Sequence, residues 1–247
     1  MPQSLYPKPF KRLAEVPVLG TPIAALKLGG MENFTYFVWN WDQGLVSIID
    51  PHKELDFSEY LGRFEALSSH FKVSRVLLTH THHDHIGGVE QVLLRSEKPT
   101  LCLHPLEVFR IENKSWYPSL EGSRLQLIAT DDSVIESNPT FTLTALHTPG
   151  HSQGGVCFHY TPLLENNPSL LFTGDTVFVG DVGRTDLETG SNESMYNSIQ
   201  KLKKLPHSTI FLPGHDYGRT PTTSLEREVE TNPGFLVRSV QELAELP

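Results

Sequence analysis

Short apolar runs separated by turn residues recur along the chain and predict β-strands. Val, Ile, Leu, Phe and Thr dominate these runs, while Gly, Pro, Asn and Asp gather between them. One turn is predicted at 42–44, between two such runs. The predicted strands are Ile23–Leu28, Asn33–Trp39, Leu45–Ile49, Arg75–Thr79, Pro99–His104, Leu125–Ile128, Ser133–Glu136, Thr140–Leu146, Gly155–Tyr160, Ser169–Thr173 and Ser208–Leu212.

Apolar positions spaced three or four residues apart predict helices between and after these strands. The predicted helices cover residues 55–67, 86–95, 106–112 and 192–204, with one or two more within 224–246. A break in the last segment is expected near Asn232-Pro233-Gly234. Strands with interspersed helices favour sheets that are covered by helices. Periodicity alone leaves the topology open.

The composition is typical of a globular protein with a sizeable core. Of 247 residues, 38% are hydrophobic and 20% are charged. The formal net charge of −9 argues against nucleic acid and against an anionic membrane as partners. A local basic site for a small anionic substrate remains compatible with this charge.

The chain shows no apolar run long enough to span a membrane, and its first ten residues lack the apolar core of a signal peptide. Its two cysteines, Cys102 and Cys157, offer no disulfide framework, which favours a cytoplasmic location. We expect one domain over residues 1–247, with an irregular lead-in at 1–20 and a short helical extension at 220–247.

A histidine-rich peptide, Thr79-His-Thr-His-His-Asp-His85, follows one of the predicted strands. Alternate residues of an extended segment point the same way, so His80 and His82 can bind one metal ion together. Asp84 and His85 lie where the chain turns toward a helix, so they point elsewhere. One short peptide can therefore serve two neighbouring metal ions.

Three further strands lead through a Gly or Pro turn to a residue that can bind a metal, namely His151, Asp175 and His215. Asp50-Pro51-His52 has a similar form and is either a site element or a plain turn. Nitrogen and oxygen donors suit Zn²⁺, Fe²⁺ or Mn²⁺. The predicted ligand groups are His80, His82 and His151 around one ion, Asp84, His85 and His215 around the other, and Asp175 as a bridge.

These motifs resemble those of the metallo-β-lactamase superfamily. The matching segments are Thr79–His85, Thr148-Pro-Gly-His151, Phe172-Thr-Gly-Asp175 and Pro213-Gly-His215, and the resemblance runs from about Gly29 to Pro233. It implies an α+β fold, a four-layer αβ/βα sandwich in which two central sheets are flanked by helices and the metal site lies at one edge. The ligand grouping given above is also that of the superfamily.

Within the superfamily, the chain is similar to the glyoxalase II and persulfide dioxygenase branch. The segments that carry this similarity are Phe172–Asp186, His215-Asp-Tyr217 and Glu230-Thr-Asn-Pro233. The resemblance implies that Arg184 and Tyr217 contact the substrate, as their counterparts contact glutathione. Full-length glyoxalase II has a longer helical C-terminal domain that completes the glutathione site, whereas 32 residues follow His215 here. The thiol part of the substrate stays open.

The function expected from this resemblance is hydrolysis of a small acyl thioester, such as an acylglutathione, by a metal-bound hydroxide. The cofactors would be two divalent metal ions, with Zn²⁺ first and Fe²⁺ or Mn²⁺ as alternatives. Asp84 would be a ligand that also helps to orient the hydroxide.

Two alternatives remain at this stage. A mononuclear iron dioxygenase that oxidises a thiol persulfide would use two histidines and one aspartate: His80 or a neighbour, His151 and Asp175. Hydrolysis of a β-lactam or a phosphodiester fits the motifs around Arg184 and Tyr217 less well. The acyl group, the identity and number of the metals, and the choice between a monomer and a homo-oligomer stay open.

Overall fold

Two six-stranded mixed sheets form the centre of the computed structural model. It describes residues 23–40, 42–56, 72–120, 124–163 and 167–246. The predicted lead-in at 1–20 lies outside the described residues, as does nearly all of the predicted helix at 55–67.

The first sheet contains the six strands that come first in the chain. They are β1 (Ile23–Leu28), β2 (Asn33–Asn40), β3 (Leu45–Ile49), β4 (Lys72–Leu77), β5 (Thr100–Leu103) and β6 (Leu125–Leu127). Their order in the sheet is the order in the chain. Strands β1 to β3 pair antiparallel and β3 to β6 pair parallel. The carboxyl ends of β3, β4 and β5 therefore meet at one edge.

The second sheet has the order β14-β13-β10-β9-β8-β7, and a separate two-stranded hairpin, β11-β12, accompanies it. Its parallel pair, β10 and β13, ends in neighbouring positions. The bounds are β7 (Ser133–Ser137), β8 (Phe141–His147), β9 (Val156–Pro162), β10 (Leu170–Gly174), β11 (Val177–Phe178), β12 (Asp181–Val182), β13 (Ile210–Pro213) and β14 (Thr223–Ser224).

Helices cover the outer face of each sheet. They are α1 (His83–Ile86), α2 (Val89–Arg95), α3 (Asn192–Leu202), α4 (Leu225–Thr231), α5 (Pro233–Leu236) and α6 (Val240–Ala244). The side chains of Ser191, Ser224 and Asn232 accept hydrogen bonds from the first turns of α3, α4 and α5. The predicted break near Asn232 is confirmed. Among the described residues, no helix is both long and apolar enough to cross a membrane.

Alternation along the strands builds a four-layer packing. In β2, Phe34 and Tyr36 face a core between the two sheets, while Phe37 and Trp39 face the core under α2. A third core packs α3 to α6 on the second sheet. The layers run helix, sheet, sheet, helix, so the predicted α+β sandwich is confirmed.

One local prediction was wrong in a way that matters for the site. The predicted helix at 86–95 is two helices, α1 and α2, separated by Gly87 and Gly88. A Cβ at position 88 would lie 2.5 Å from the carbonyl oxygen of His52, so this turn packs tightly against the end of the first sheet. A 3₁₀-helix, Tyr117–Leu120, forms in a segment for which no strand or helix is predicted above.

Candidate metal centre

The predicted ligands lie on strand ends that meet at one edge of the sandwich. His80 and His82 follow β4, and Asp84 and His85 lie in α1. His151 lies in the connection from β8 to β9. Asp175 and His215 follow the parallel strands β10 and β13, respectively. A hydrogen bond from Val156 N to Thr79 O, 2.8 Å long, joins the edges of the two sheets at this point.

The first triad consists of His80, His82 and His151. Nε2 of His80 lies 3.0 Å from Nδ1 of His82, and Nε2 of His151 lies 2.9 Å from the same atom. The ligand atoms of the three side chains all lie within 4.8 Å of one another. Three ring nitrogens therefore converge on one point, as they do in a metal site.

The second triad consists of Asp84, His85 and His215. Nε2 of His85 lies 3.2 Å from Nε2 of His215. Oδ2 of Asp84 lies 3.5 Å from the former nitrogen and 3.4 Å from the latter. All three residues are buried. This donor set of two nitrogens and one carboxylate oxygen suits a divalent cation.

Asp175 lies between the two triads. Its Oδ2 is 3.5 Å from Nε2 of His151 and 3.4 Å from Nε2 of His215, and its Oδ1 is 3.3 Å from Nε2 of His85. A Cβ at position 214 would lie 2.4 Å from this Oδ1, so glycine at 214 leaves room for the carboxylate. The carboxylate is therefore in the position that a bridging ligand requires.

In four of the five histidines, Nδ1, the ring nitrogen that points away from the triads, lies within hydrogen-bond distance of an oxygen atom. Nδ1 of His151 and Nδ1 of His215 face backbone carbonyl oxygens, so these nitrogens must donate, and in the neutral ring the lone pair is left on Nε2. The Nδ1 contacts are His80 with Thr79 Oγ1 at 3.1 Å, His85 with Asp50 Oδ2 at 3.0 Å, His151 with Arg184 O at 2.9 Å and His215 with Met31 O at 2.7 Å.

Asp50 does more than form a turn, because its side chain positions Thr79 and His85. Its Oδ1 accepts a hydrogen bond from Thr79 N at 2.8 Å, and its Oδ2 accepts one from Thr79 Oγ1 at 2.6 Å and faces Nδ1 of His85. Asp50 is buried and has a φ of 49°, which aspartate tolerates better than most residues. In the sequence, Asp50 is recognisable only as a polar residue at the end of a predicted strand, and that pattern leaves the role of Asp50 open.

Asn33 was missed by the sequence analysis. Its Nδ2 donates to Oδ2 of Asp84 at 2.8 Å, and the side chain is buried. Asn33 is the first residue of β2, and no sequence motif distinguishes an asparagine at that position as a functional residue. Its hydrogen bond fixes the carboxylate of the second triad.

A family model described as the metallo-beta-lactamase superfamily matches residues 58–215. The chain belongs to the metallo-β-lactamase superfamily. The resemblance found in the sequence motifs is thereby confirmed. The superfamily fold explains why separate strand ends deliver ligands to one edge.

Two hydroxyacylglutathione hydrolases are similar in sequence to most of this chain. The hydroxyacylglutathione hydrolase of Tolumonas auensis is 29% identical over 214 residues, which cover 85% of this chain and 72% of that protein. The hydroxyacylglutathione hydrolase of Salmonella dublin is 31% identical over 187 residues, which cover 75% of this chain and 62% of that protein. The chain thus spans less than two thirds of the length of the Salmonella relative.

Solved structures with the metallo-β-lactamase fold align with most of the chain. ETHE1 from Myxococcus xanthus has a TM-score of 0.71 and 24% identity, covering 91% of this chain and 92% of that one. The protein TTHA1623, in a di-iron-bound form, has a TM-score of 0.62 and 27% identity, covering 85% of this chain and 98% of that one.

Two imidazoles of the first triad, those of His80 and His82, favour the neutral form because their pKa values are lowered. Desolvation lowers the pKa of His80 well below its ordinary value, and repulsion from His85 adds to this effect. Desolvation and then repulsion from His151 lower the pKa of His82 to about 4. Neutral imidazoles present the lone pairs that bind a cation.

The second triad combines an ionised carboxylate with two histidines whose pKa values are raised. Desolvation acts to raise the pKa of Asp84, but the hydrogen bond with His215, the charge of His85 and the hydrogen bond with Asn33 together hold the pKa well below its usual range. Desolvation acts to lower the pKa of His215, but the carboxylates of Asp175 and Asp84 raise it to about 9. Carboxylates that draw positive charge in this way fit a divalent cation.

A cleft of about 780 Å³ opens over both triads, and Tyr217 lies on its wall. The tyrosine ring stacks on His215, with ring centroids 4.6 Å apart and planes 15° apart, and it packs against Phe178 at 5.3 Å. The residue is 56% exposed. An exposed aromatic ring stacked on a triad residue is placed to contact a bound molecule.

Arg184 also lines the cleft, and it carries two roles in the structure. Its carbonyl oxygen faces Nδ1 of His151. Its guanidinium donates to both carboxylate oxygens of Asp186, each at 2.6 Å, and its side chain is 65% exposed. An exposed ion pair contributes little to stability, so the guanidinium can exchange this partner for an anionic one.

Proposed function

We propose that this protein is a metal-dependent hydrolase of the glyoxalase II type that cleaves a small acyl thioester, with acylglutathiones as the first candidates. The observation that carries the proposal is the pair of complete triads joined by Asp175 on the floor of one cleft. The hydroxyacylglutathione hydrolases among the relatives support the substrate class.

His80, His82 and His151 would hold one divalent cation, and Asp84, His85 and His215 would hold the other, with Asp175 shared between them. When bound, two such cations polarise a carbonyl and lower the pKa of a water toward about 7. We propose Zn²⁺ first, with Fe²⁺ or Mn²⁺ as alternatives, since the donor set of nitrogens and carboxylates accommodates all three.

The residues of the chain would position the reaction. Asp84 lines the cleft, and we propose that its carboxylate orients the attacking water while Asn33 holds its Oδ2. The leaving group of a thioester is a thiolate, which needs little help from a general acid. The site therefore requires no additional proton donor at the sulfur atom.

Arg184 and Tyr217 would bind the substrate at the mouth of the cleft. The guanidinium of Arg184 would exchange Asp186 for a carboxylate of the substrate. The ring of Tyr217 would cover the thiol part, because it already lies against Phe178 and His215. This arrangement favours an anionic thiol such as glutathione.

We also propose that residues 1–247 form a single domain and that the protein acts in the cytoplasm. Cys102 and Cys157 are both buried and unbonded to each other, in keeping with a reducing compartment. The formation of homo-oligomers is a separate question, which size measurements in solution would answer.

The alternative of a mononuclear iron dioxygenase also has an observation in its favour. Oδ2 of Asp175 lies 3.5 Å from Nε2 of His151 and 4.0 Å from Nε2 of His80, so two histidines and one aspartate lie together. The same donors belong to the two-metal arrangement. The 24% identity to ETHE1 shows a shared fold and does not decide between the two.

Parallel assays of protein purified without added metal separate these functions. We expect hydrolysis of an acylglutathione, followed as thiolate release, together with two metal ions per chain. Uptake of O₂ on a glutathione persulfide, by protein with one iron per chain and no thioesterase activity, would overturn the proposal.

A further inference from the structure

Glu107 is a buried carboxylate close to the first triad, but it is not one of the ligands. It lies in a 3₁₀-helix, Pro105–Arg110, that follows β5, and its exposure is 0%. His104 caps this helix by accepting a hydrogen bond from Leu106 N, and Pro105 occupies the first position. The helix thus fixes Glu107 on a short, well-capped element.

The two carboxylate oxygens of Glu107 bind two different segments. Oε2 accepts hydrogen bonds from Thr81 N at 2.9 Å and from Thr81 Oγ1 at 2.6 Å. Oε1 accepts a hydrogen bond from Gly154 N at 3.1 Å. Thr81 stands between His80 and His82, and Gly154 follows His151 by three residues. One side chain therefore joins both segments that carry the first triad.

The segment after His151 is shaped to receive this side chain. A Cβ at position 154 would lie 2.7 Å from Cγ of Glu107 and 3.0 Å from its Oε1, so only glycine permits the approach. Gln153 reinforces the contact, because its Nε2 donates to Leu106 O at 3.1 Å. Two consecutive residues of the 3₁₀-helix, Leu106 and Glu107, thus contact two consecutive residues of the ligand segment, Gln153 and Gly154.

Burial of a carboxylate has a cost in free energy that its hydrogen bonds must offset. The partners of Glu107 are backbone N–H groups, a hydroxyl and a 3.4 Å contact with Nη1 of Arg110. In the described part of the chain, no hydrogen bond links Glu107 to Asp84, His85, His215 or their support, Asp50. The direct hydrogen bonds of Glu107 to the site segments therefore go to residues that flank the ligands of the first triad.

We infer that Glu107 is a positioning residue that sets the spacing of His80, His82 and His151 and thereby controls the affinity of the first metal ion, while the second ion does not depend on it. The inference rests on the proposed two-metal centre. Residues that orient metal ligands typically change metal affinity by about 10-fold to 100-fold when they are altered.

Glu107→Gln is the most direct test. A carboxamide has one acceptor oxygen and one NH₂ donor, so it cannot accept hydrogen bonds from both Thr81 and Gly154. We expect metal-free protein titrated with Zn²⁺ against a chelator to show one binding step weakened by about 10-fold to 100-fold, with the other step unchanged. The measurement does not depend on catalytic activity.

Glu136→Gln is the matched control. Glu136 is also a buried carboxylate, and its oxygens accept hydrogen bonds from Asn40, Asn138 and Arg75, none of which is in the site. We expect both binding steps of this variant to equal those of the wild type. An equal loss of metal affinity in Glu107→Gln and Glu136→Gln would show that replacing any buried carboxylate has this effect. That result would overturn the inference.

Double variants assign the weakened step. With His151→Ala the first triad is already broken, so adding Glu107→Gln should have no further effect on the remaining ion. With His215→Ala, adding Glu107→Gln should weaken the remaining ion by about 10-fold or more. The opposite pattern would overturn the inference.

A wild type that binds one ion would refute the two-metal proposal separately. The inference on Glu107 would then stand if Glu107→Gln weakens that ion and would fall if it does not. If Glu107→Gln does not fold, Gly154→Ala serves instead, because its Cβ displaces the carboxylate without changing its charge. Unchanged affinities in Gly154→Ala would likewise overturn the inference.

Discussion

The two triads are built by different physical means. The first consists of three imidazoles. Burial lowers the pKa of His80 and that of His82, and His82 is only half-buried beside the cleft. The second combines Asp84 with two imidazoles, and all of its members are buried. Asp175 contributes a carboxylate to both.

The elements that support the triads differ as well. Glu107 braces the first triad through the backbone of two connecting segments. Asp50 and Asn33, which lie at an end of β3 and in β2, support the second triad by contacting its side chains directly. Asp84 and His85 of the second triad thus receive direct side-chain contacts from the first sheet, whereas Glu107 acts on the first triad through the backbone of connecting segments.

This difference predicts which triad would bind its metal ion more tightly. Attraction between opposite charges is strong where water is excluded, and the second triad offers more negative charge and less water. We therefore expect the second triad to fill first and the first triad to be the one that empties. The same asymmetry bears on the choice between a two-metal hydrolase and a one-metal enzyme.

Removal of a ligand should have the largest effect. His151→Ala should lose at least about 100-fold in thioesterase activity and retain one tightly bound ion, because only the first triad is broken. His215→Ala should lose the tighter step instead. Metal analysis after dialysis, together with the assay, checks this pair. Two ions and full activity in His151→Ala would remove His151 from the site.

Gly214→Ala should weaken both ions. Its Cβ would lie 2.4 Å from Oδ1 of Asp175 and 2.9 Å from Cε1 of His85, so the shared carboxylate must shift. We expect about a 10-fold loss in each binding step. Gly30→Ala is the control, because nothing lies within 4 Å of a Cβ at that position. A loss confined to one step would contradict the bridging role of Asp175.

Asp50→Asn should act mainly on the second triad. Asparagine keeps the shape and tolerates the positive φ of this position, but it removes the negative charge that faces Nδ1 of His85. We expect the tighter Zn²⁺ step to weaken by about 10-fold, as measured by competition with a chelator. If the weaker step changed more than the tighter one, the division of support between Asp50 and Glu107 would be wrong.

Arg184→Ala should have the smallest effect on the protein and a clear effect on the substrate. Its side chain is 65% exposed and pairs with Asp186 alone at the surface, so stability and metal content should stay the same. The KM for an acylglutathione should rise by roughly 10-fold, the effect of losing a hydrogen bond to a charged group. Steady-state kinetics with unchanged KM would end its proposed role.

Most strands and the candidate ligands could be predicted because they depend on local patterns, while the sandwich was implied by the family resemblance. Each ligand follows an apolar run and a turn, and parallel neighbours such as β10 and β13 bring their ends together. The histidine peptide added a second pattern, the alternation of His80 and His82. The placement of Asp175 and His215 beside this peptide was implied by the family resemblance, and the structure shows the parallel pairing that brings them there.

The supporting residues could not be predicted, because their partners are distant in the chain. Glu107 binds groups that lie 26 and 47 residues away, and Asn33 binds Asp84 across 51 residues. Each is a single polar residue in a segment with no motif. The roles of the short strands β11, β12 and β14 were also missed, since two residues are too few to form a pattern.

The most direct test of the central claim is a crystal structure of metal-loaded protein with anomalous scattering data collected at the edge of the added metal. The account predicts two peaks per chain, about 3.5–4 Å apart, one within His80, His82 and His151 and the other within Asp84, His85 and His215, with Asp175 between them. A single peak bound by His80, His151 and Asp175, with the second triad empty at saturating metal, would contradict it.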